Sequence, residues 1–371
     1  MTNNDILKQS LRLVCLGAIV LAAGCAAAPA TSDCGTGAHD DAALPGGSEP
    51  DLQNPGAPMD AAVPVGKDGG ADAAVATDGA PPVTDAAGPP VLPACPSFGK
   101  PVAAGTIEHS SVLEASGIAA SRRNPGVLWV HNDSGDDPNV YAITASGKAV
   151  ATFVLDGANA NDWEDLAIGP GPMNGVSYLY VGDIGDNVFA RPDVNIYRVA
   201  EPQTGSPVMT PPLTVLKNVE TFTLAYPDHA HNAETLFVDP QTGDVYIVVK
   251  DGSGTSPVFR ARAPLDPKAT NKMELVATLV FGKAPLSGNP ETTGGHMSPS
   301  GDEIVIRTYD HAFLWRRPKG LSVGDALMMP PCPLPLANEP QGEAVGYAAD
   351  GAGYYTTSEG QAATLSYYPR K

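Results

Sequence analysis

A pattern of two short strands recurs five times along this chain and constrains its fold more than any other feature. Each copy opens with a glutamate and an apolar strand. A second strand rich in Val, Ile or Tyr follows and ends on a polar or charged residue. The five glutamates are Glu114, Glu164, Glu234, Glu291 and Glu343, at intervals of 50, 70, 57 and 52 residues. Repeats of about 50 residues built from strands and Gly/Pro turns are typical of propeller blades. The sequence therefore predicts an all-β chain that folds into a single β-propeller.

The strands within each copy predict four-stranded blades. In the first copy, NVYAITASG and AVATFVLDG follow VLWVHND, with turn residues between them. The fifth copy ends after ATLSYYPR, so its fourth strand is best supplied by the N-terminal stretch from Val102 to Ile107. Such an exchange closes the ring and covers the sheet edges. We predict five blades. Six blades are the alternative, because the interval between Glu164 and Glu234 leaves room for another element.

The first residues predict export rather than a folded element. Residues 1–24 form a predicted signal peptide, with a positive start and an apolar run too short to span a bilayer. Ala22-Ala23-Gly24-Cys25 resembles a bacterial lipobox, although leucine is usual at the position of Ala22. We therefore predict a protein lipid-anchored at Cys25 in the bacterial cell envelope, facing the periplasm or the cell surface. Plain secretion without lipidation is the alternative.

The composition changes after the lipobox. Residues 25–94 are rich in Ala, Pro, Gly and Asp and lack aromatic residues. Such a segment cannot bury enough apolar surface to offset its ordering entropy, which predicts a disordered linker before a propeller domain at residues 95–371. The net charge of −19, without a basic stripe, argues against a nucleic-acid partner. The predicted partners are the membrane, through the lipid, and an unknown protein or small molecule that binds a monomer.

Two cysteines in the predicted domain suggest a disulfide. Export implies an oxidising compartment. Cys95 and Cys332 lie in Pro-flanked loops near the two ends of the domain, and a closed ring brings those ends together. We predict that they are paired. The alternative is two buried, unpaired thiols.

The predicted channel concentrates charge. The first strand of each propeller blade lines the channel, so the five glutamates are expected there. The polar residues that end the second strands are Asp133, Asp183, Lys250, Arg307 and Glu359. Eight acids and two bases leave uncompensated negative charge, which costs free energy in a narrow channel. This cost is reduced if carboxyl pKa values are raised or if a hard cation such as Ca²⁺ binds. Alternatively, the glutamates bond backbone N–H groups within a purely structural ion network that needs no cofactor.

Further candidates lie in loops near the predicted mouth of the channel. They are Asp162, Asp186 and His231. If His229 and His231 were in a strand, they would share one face, a spacing that suits Zn²⁺, but the sequence identifies no third ligand. The alternative is a pair of loop histidines without a metal. No Gly-x-Ser-x-Gly motif is present, so the sequence assigns no catalytic residue.

Several of these segments are similar to repeats of exported bacterial propellers. EASGIAAS, DWEDLAIGP and HNAETLFVDPQTGDVYIVVK resemble the SdiA-regulated and "esterase-like activity of phytase" families, over roughly residues 107–365. The resemblance implies a phosphoesterase or esterase, and calcium binding in some members. Carried onto this chain, it implies metal-binding acids at Glu114, Asp133, Glu164, Asp183, Glu234 and Glu343. Because basic residues for phosphate are scarce, we favour a binding or scaffold module, with a metal-dependent hydrolase as the alternative.

Overall fold

The computed structural model describes residues 92–282 and 288–371. The predicted signal peptide, the lipidation site at Cys25 and nearly all of the predicted linker lie outside the described residues. Within those ranges, none of the helices has the length and apolarity needed to cross a membrane.

The described chain is built almost entirely from strands, with one short helix, α1 (Val323–Leu327). In chain order the strands are β1 (Val102–Thr106), β2 (Ala115–Ala120), β3 (Val127–Asn132), β4 (Asn139–Thr144), β5 (Ala149–Leu155), β6 (Trp163–Pro170), β7 (Ser177–Asp183), β8 (Asp193–Ala200), β9 (Leu213–Leu216), β10 (Glu220–Ala225), β11 (Ala233–Val238), β12 (Val245–Val249), β13 (Thr255–Ala261), β14 (Asn271–Lys272), β15 (Glu274–Val280), β16 (Thr292–Met297), β17 (Glu303–Thr308), β18 (Ala312–Arg316), β19 (Cys332–Leu334), β20 (Gly342–Tyr347), β21 (Gly353–Ser358) and β22 (Thr364–Pro369).

These strands form five sheets, which are the blades of a propeller. Blade 1 has the order β2-β3-β4-β5-β9, blade 2 β6-β7-β8-β10-β14, blade 3 β11-β12-β13-β15, blade 4 β16-β17-β18-β19 and blade 5 β20-β21-β22-β1. The innermost strands β2, β6, β11, β16 and β20 contact one another in sequence around a closed ring. The predicted all-β, five-bladed propeller is confirmed.

The alternative of six blades is wrong, because the long interval after Glu164 adds a strand to blade 1 and does not form a separate blade. The segment between blades 1 and 3 contributes β9, which pairs in parallel with β5, from Thr152 opposite Leu213 to Leu155 opposite Leu216. Strand β14 likewise adds to β10 in parallel. Blades 1 and 2 therefore contain five strands instead of the predicted four.

The ring closes through strand exchange, as the sequence predicts. Strand β1 pairs antiparallel with β22, from Val102 opposite Tyr367 to Thr106 opposite Thr364. A disulfide joins Cys95, which precedes β1, to Cys332 in the outer strand of blade 4, with Cα atoms 5.7 Å apart. The segment that leads into the closing strand of blade 5 is therefore linked covalently to blade 4.

Large apolar side chains pack between successive blades. One buried cluster joins blades 1 and 2 and contains Trp129 and Phe153 of blade 1 together with Trp163 and Tyr197 of blade 2. Within each blade these rings also contact each other, with centroids 5.6 and 5.8 Å apart. Full burial of side chains of this size contributes about 1.5–3 kcal/mol each. These layers hold the inner strands, and the charged residues on them, in fixed positions.

Each inner strand contains a β-bulge close to its first residue. The register shifts lie between Ala115 and Gly117 in β2 and at the matching places in the other four inner strands. A bulge re-aims side chains and often occurs next to functional sites. The bulged residues are Ser116, Asp165, Glu234, Thr293 and Glu343.

Candidate metal and ligand site at the propeller mouth

One end of the ring collects most of the charged residues that the sequence singles out. The inner strands begin there and the second strands end there, because the two run antiparallel. The Asp133 N–H donates to the Glu114 carbonyl at 2.8 Å, and the Lys250 N–H donates to the Asn232 carbonyl at 3.0 Å. We call this end of the propeller the mouth.

Two of the predicted second-strand residues are shifted relative to the others. In blade 2, Asp183 is the last paired residue of β7, so Ile184 occupies the place that Asp133 has in blade 1. In blade 4, Tyr309 follows the last paired residue and lies two positions beyond Arg307. The mouth therefore contains one apolar and one phenolic side chain where the spacing predicts an acid and a base.

Asp183 and Asp186 order a loop of blade 2. The Asp183 carboxylate is buried and forms an ion pair with Arg191 at 2.8 Å. Asp186 is also buried and accepts hydrogen bonds from the backbone N–H groups of Ala190 and Arg191 at 2.9 and 2.7 Å. Burial raises the pKa of Asp183, and the Arg191 charge acts against that rise. Both acids have structural partners.

Arg307 is a buried structural cation. Its guanidinium forms an ion pair with Glu339 at 2.6 Å and donates to the Ala344 carbonyl at 3.2 Å. A Cβ at Gly342 would lie 2.0 Å from Arg307 Nη2, so a larger residue there would displace the guanidinium. Glu339 stands outside the repeat pattern and is recognisable only from its contact with Arg307.

Three carboxylates from blades 1 and 2 converge at the mouth. Asp133, Asp162 and Glu164 each offer one oxygen, and these oxygens all lie within 4.8 Å of one another. Ser116 on β2 donates a hydrogen bond to Glu164 Oε2 at 2.7 Å. We call Asp133, Asp162 and Glu164 the acidic triad. It contains two of the six predicted metal-binding acids, together with Asp162 from the predicted loop.

The acidic triad retains protons that isolated carboxyls would lose. Burial, followed by the charges of Glu234 and Asp133, raises the pKa of Glu164 well above its ordinary value. Burial and the Asp133 charge raise the pKa of Asp162 to about 6. Burial also raises the pKa of Asp133, whose carboxylate accepts a hydrogen bond from the Glu164 carboxyl. All three acids of the triad therefore hold protons to higher pH than isolated carboxyls do.

The other side of the mouth contains a continuous network across blades 3, 4 and 5. The Lys250 ammonium donates a hydrogen bond to the Glu234 carboxylate and another to the Tyr309 hydroxyl, the latter at 3.0 Å. Tyr309 in turn donates to Glu343 Oε1 at 3.3 Å, and Glu343 accepts a hydrogen bond from Glu359. Tyr309 is the last residue of the segment EIVIRTY, and the charge pattern of the sequence does not mark it. Lys250 thus contacts Glu234 directly and is connected to Glu343 through the Tyr309 hydroxyl.

Burial determines the protonation of this network. Burial raises the pKa of Glu234 to about 8 against the opposing charge of Lys250. Burial and the charge of Glu343 raise the pKa of Glu359 to about 9. Glu234 Oε2 is buried and has no hydrogen-bond partner among the described residues. Glu234 therefore titrates near neutral pH and keeps one oxygen available.

Glu114 and Glu291 lie at the rim. Glu114 is exposed, and its charge contributes to the raised pKa of Glu359, after burial and the nearer acids. Glu291 is half-buried and accepts a hydrogen bond from Asn289 Nδ2 at 3.2 Å. The five glutamates of the repeat therefore occupy different depths instead of forming one even ring.

Asp165 is a buried carboxylate that links inner strands across the ring. Its Oδ2 accepts from the N–H groups of Leu236 on β11 and Gly295 on β16, each at 3.0 Å, and its Oδ1 accepts from Leu166 N–H at 2.8 Å. Burial raises the pKa of Asp165, and these three donors act against that rise. Asp165 lies in the segment DWEDLAIGP, and its role depends on the bulge in β6.

A cleft with a volume of about 650 Å³ opens beside Lys250. Its wall includes Phe189, Gly252, Glu291 and His231. Phe189 is 63% exposed and has a left-handed φ of 54°, which is uncommon for a bulky residue. Residues in sparsely populated backbone conformations cluster at active sites and ligand-binding sites.

His231 lies in this cleft and not in the acidic triad. The loop from β10 to β11 that contains it is not a strand, so the predicted strand alternation of His229 and His231 is wrong. The two imidazoles still lie close together, with ring centroids 4.2 Å apart. The structure also places Asp228 beside both of them.

The chain was compared with known proteins. No family model matches it, and no curated protein matches it. Among solved structures, the WD40 repeats of RRP9 are 10% identical, with a TM-score of 0.39, over 74% of this chain and 100% of that chain. U3-55K is 9% identical, with a TM-score of 0.36, over 72% of this chain and 99% of that chain. The similarity to the esterase-like phytase propellers stays a prediction from the sequence.

Proposed function

We propose that this protein is a propeller binding module that holds a hard divalent cation, Ca²⁺ by its ligand chemistry, at the mouth. The observation that carries this proposal is the acidic triad, whose carboxylate oxygens from two blades lie within 4.8 Å of one another. Ca²⁺ prefers oxygen ligands of this kind and accepts irregular geometry. No described lysine or arginine forms an ion pair with any of the three acids.

The energetics of the triad favour such an ion. Glu164 is only 2% exposed, and buried carboxylates repel one another strongly unless a counter-charge is present. Protons compensate part of the charge, as the raised pKa values of Asp162 and Glu164 indicate. A divalent cation takes the place of those protons, because metal ligands must be deprotonated to bind.

The ligand of the module binds in the cleft beside Lys250. Lys250 belongs both to the wall of the cleft and to the network of acids at the mouth. Phe189 offers an exposed aromatic ring for stacking. A concave site of this size with a few polar groups suits a small molecule or a short protein segment.

The module is held at the cell envelope by a lipid on Cys25, which the lipobox-like sequence supports. Replacing the acceptor, Cys25→Ser, removes the acylation site. The variant protein is expected in the soluble fraction of fractionated cells. Its continued recovery with membranes would contradict lipid anchoring.

A metal-dependent ester or phosphoester hydrolase is the second candidate, favoured by one observation. Glu234 has a pKa of about 8 and an oxygen without a described partner. A group that titrates near neutral pH can exchange a proton with a reacting ester, and the neighbouring Lys250 can stabilise developing negative charge. The bound cation would supply Lewis-acid activation. Turnover of phosphoester or ester substrates that Glu234→Gln abolishes would establish this activity.

The cation proposal is tested by thermal melts of the full chain, in chelator and with Ca²⁺. At a free concentration of about 100 Kd, a ligand stabilises the fold by about 2.7 kcal/mol. For a domain of this size, that corresponds to a melting temperature higher by roughly 5 °C. Glu164→Gln should remove most of this rise, whereas the matched change at an exposed site, Glu108→Gln, should preserve it. A wild-type melt that responds to neither chelator nor Ca²⁺ refutes the proposal.

A further inference from the structure

A second cluster of metal-binding side chains lies in the loop from β10 to β11. His231 Nε2 is 3.0 Å from Asp228 Oδ1, and His229 Nδ1 is 3.4 Å from Asp228 Oδ2. One ligand atom from each of the three residues lies within 4.8 Å of the other two. The sequence shows two histidines without a third ligand, and the structure supplies the third from the same loop.

These separations match the geometry of a zinc site. Zinc binds histidine nitrogen at about 2.0–2.1 Å and carboxylate oxygen at about 2.0–2.2 Å. Two ligands at such distances, arranged tetrahedrally, lie about 3.3 Å apart. His231 Nε2 lies 3.0 Å from one carboxylate oxygen of Asp228, and His229 Nδ1 lies 3.4 Å from the other, so each histidine is about one zinc-ligand edge away from this carboxylate. Because the side chains of His229 and Asp228 are exposed, they are free to turn so that one atom from each joins His231 around a single ion.

The cluster combines one fixed ligand with two adjustable ones. The side chain of His231 is 9% exposed, and its ring packs between Tyr226 and Phe259 at 4.8 and 5.0 Å. The side chains of His229 and Asp228 are 71% and 47% exposed. A rigid imidazole therefore positions the ion, while the two exposed groups close on it from the solvent side.

We propose that Asp228, His229 and His231 bind a first-row transition metal ion, with Zn²⁺ as the best match to two imidazoles and a carboxylate. This donor set differs from the all-oxygen acidic triad, so the two sites select different ions. The three residues also line the cleft beside Phe189 and Lys250. With three protein ligands, the fourth position of the ion faces the cleft, where water or a ligand donor atom can occupy it.

The test is a Zn²⁺ titration of the full chain in competition with a chromophoric chelator. Free thiols are alkylated first, because the unpaired cysteines could also bind zinc. We expect about one tight equivalent per chain, and His229→Ala or Asp228→Asn should weaken it by more than about ten-fold. The control is His311→Ala, which changes an exposed histidine in blade 4 and should leave the affinity unchanged.

Two results would overturn the site. Wild-type protein without a tight equivalent excludes it directly. Tight binding that survives both His229→Ala and Asp228→Asn places the zinc elsewhere. Both variants change exposed side chains, and melting curves equal to that of the wild type would show that lost affinity is not lost fold. Cobalt(II) titrated in place of zinc should give visible bands of a nitrogen- and oxygen-ligated ion only in the wild type and His311→Ala.

Discussion

Asp165 shows how a single buried charge can hold several strands of a propeller together. It occupies the bulge of β6, has a left-handed φ of 46° and reaches the backbones of β11 and β16. Aspartate and asparagine tolerate this conformation better than most residues. The charge and the bulge therefore belong together, because the bulge aims the carboxylate at donors that would otherwise lack partners.

The change Asp165→Asn separates the charge from the backbone conformation. Asparagine tolerates the positive φ but presents an amide NH₂ to backbone N–H donors, so at least one bond of a charged acceptor is lost. We expect the free energy of unfolding to fall by about 3 kcal/mol, measured by urea denaturation. The exposed control Asp137→Asn should change stability by less than about 0.5 kcal/mol. An unchanged midpoint in Asp165→Asn would contradict the structural role.

Lys250 is the cation on which the network of blades 3 to 5 depends. Burial lowers the pKa of its ammonium, but Glu234 and Tyr309 more than compensate, so the pKa is raised overall. Removing the lysine leaves Glu234 buried beside other acids. Glu234 then has to bind a proton or remain an uncompensated charge.

Lys250→Met should destabilise the protein by about 3 kcal/mol at neutral pH, as for other broken buried pairs. The unpaired Glu234 has a raised pKa in the folded state, so its penalty is absent at low pH and grows as pH rises through that pKa. The loss should therefore be larger at pH 9 than at pH 5. The double variant Lys250→Met/Glu234→Gln should recover part of it in a double-mutant cycle, and the exposed change Lys148→Met serves as control. A loss that is independent of pH and additive with Glu234→Gln would contradict this assignment.

At the scale of strands, the repeat predicts the blades but not the register within them. The apolar strands, the turns between them and the missing last strand suffice to predict five blades and the closure by β1. Each inner strand, however, contains a bulge, and its position relative to the glutamate varies. The bulged residue is Glu234 itself in blade 3, but Asp165, one residue after Glu164, in blade 2. One extra residue turns a side chain towards the other face, so spacing alone cannot align the five glutamates.

The same limit explains which site residues the sequence misses. Asp133, Glu164 and Lys250 lie at the mouth as their positions suggest. Tyr309 links Lys250 to Glu343 through its hydroxyl, which is uncharged and so does not appear in a pattern of charges. Glu339 pairs with Arg307 from a loop outside the repeat. Contacts between blades depend on the rotation from one blade to the next, which a repeat does not specify.

The disulfide gives an element-scale prediction about closure of the ring. Cys95 and Cys332 enclose most of the propeller, so their bond restricts a long loop in the unfolded chain. Replacing both with serine should cost roughly 3–5 kcal/mol in the chain-entropy model, measured by chemical denaturation. Denatured full-length protein should show two more titratable thiols with reductant than without it. Equal counts would show that the bond does not form.

At the scale of the whole molecule, several carboxyl groups at the mouth remain protonated to higher pH than usual, and a bound cation can replace their protons. Asp162, Glu164, Glu234 and Glu359 have raised pKa values, so the metal-free propeller takes up protons on folding between about pH 5 and 8. Stability from these groups is fully present at low pH and declines as pH rises through their folded pKa values. Ca²⁺ at the acidic triad should oppose this decline, because it provides the charge that protons supply at lower pH.

The most direct test of this account is calorimetric titration of the full chain with Ca²⁺ at pH 7, in buffers with different ionisation enthalpies. If the ion displaces a proton from the acidic triad, the observed enthalpy should vary with the buffer in the sense of proton release, by about one proton per ion. The affinity should also rise with pH from 6 to 8. Glu164→Gln should lose both the affinity and the proton release, and Glu108→Gln should keep them. An absence of binding, or binding without proton release that persists in Glu164→Gln, would contradict a cation site at the propeller mouth.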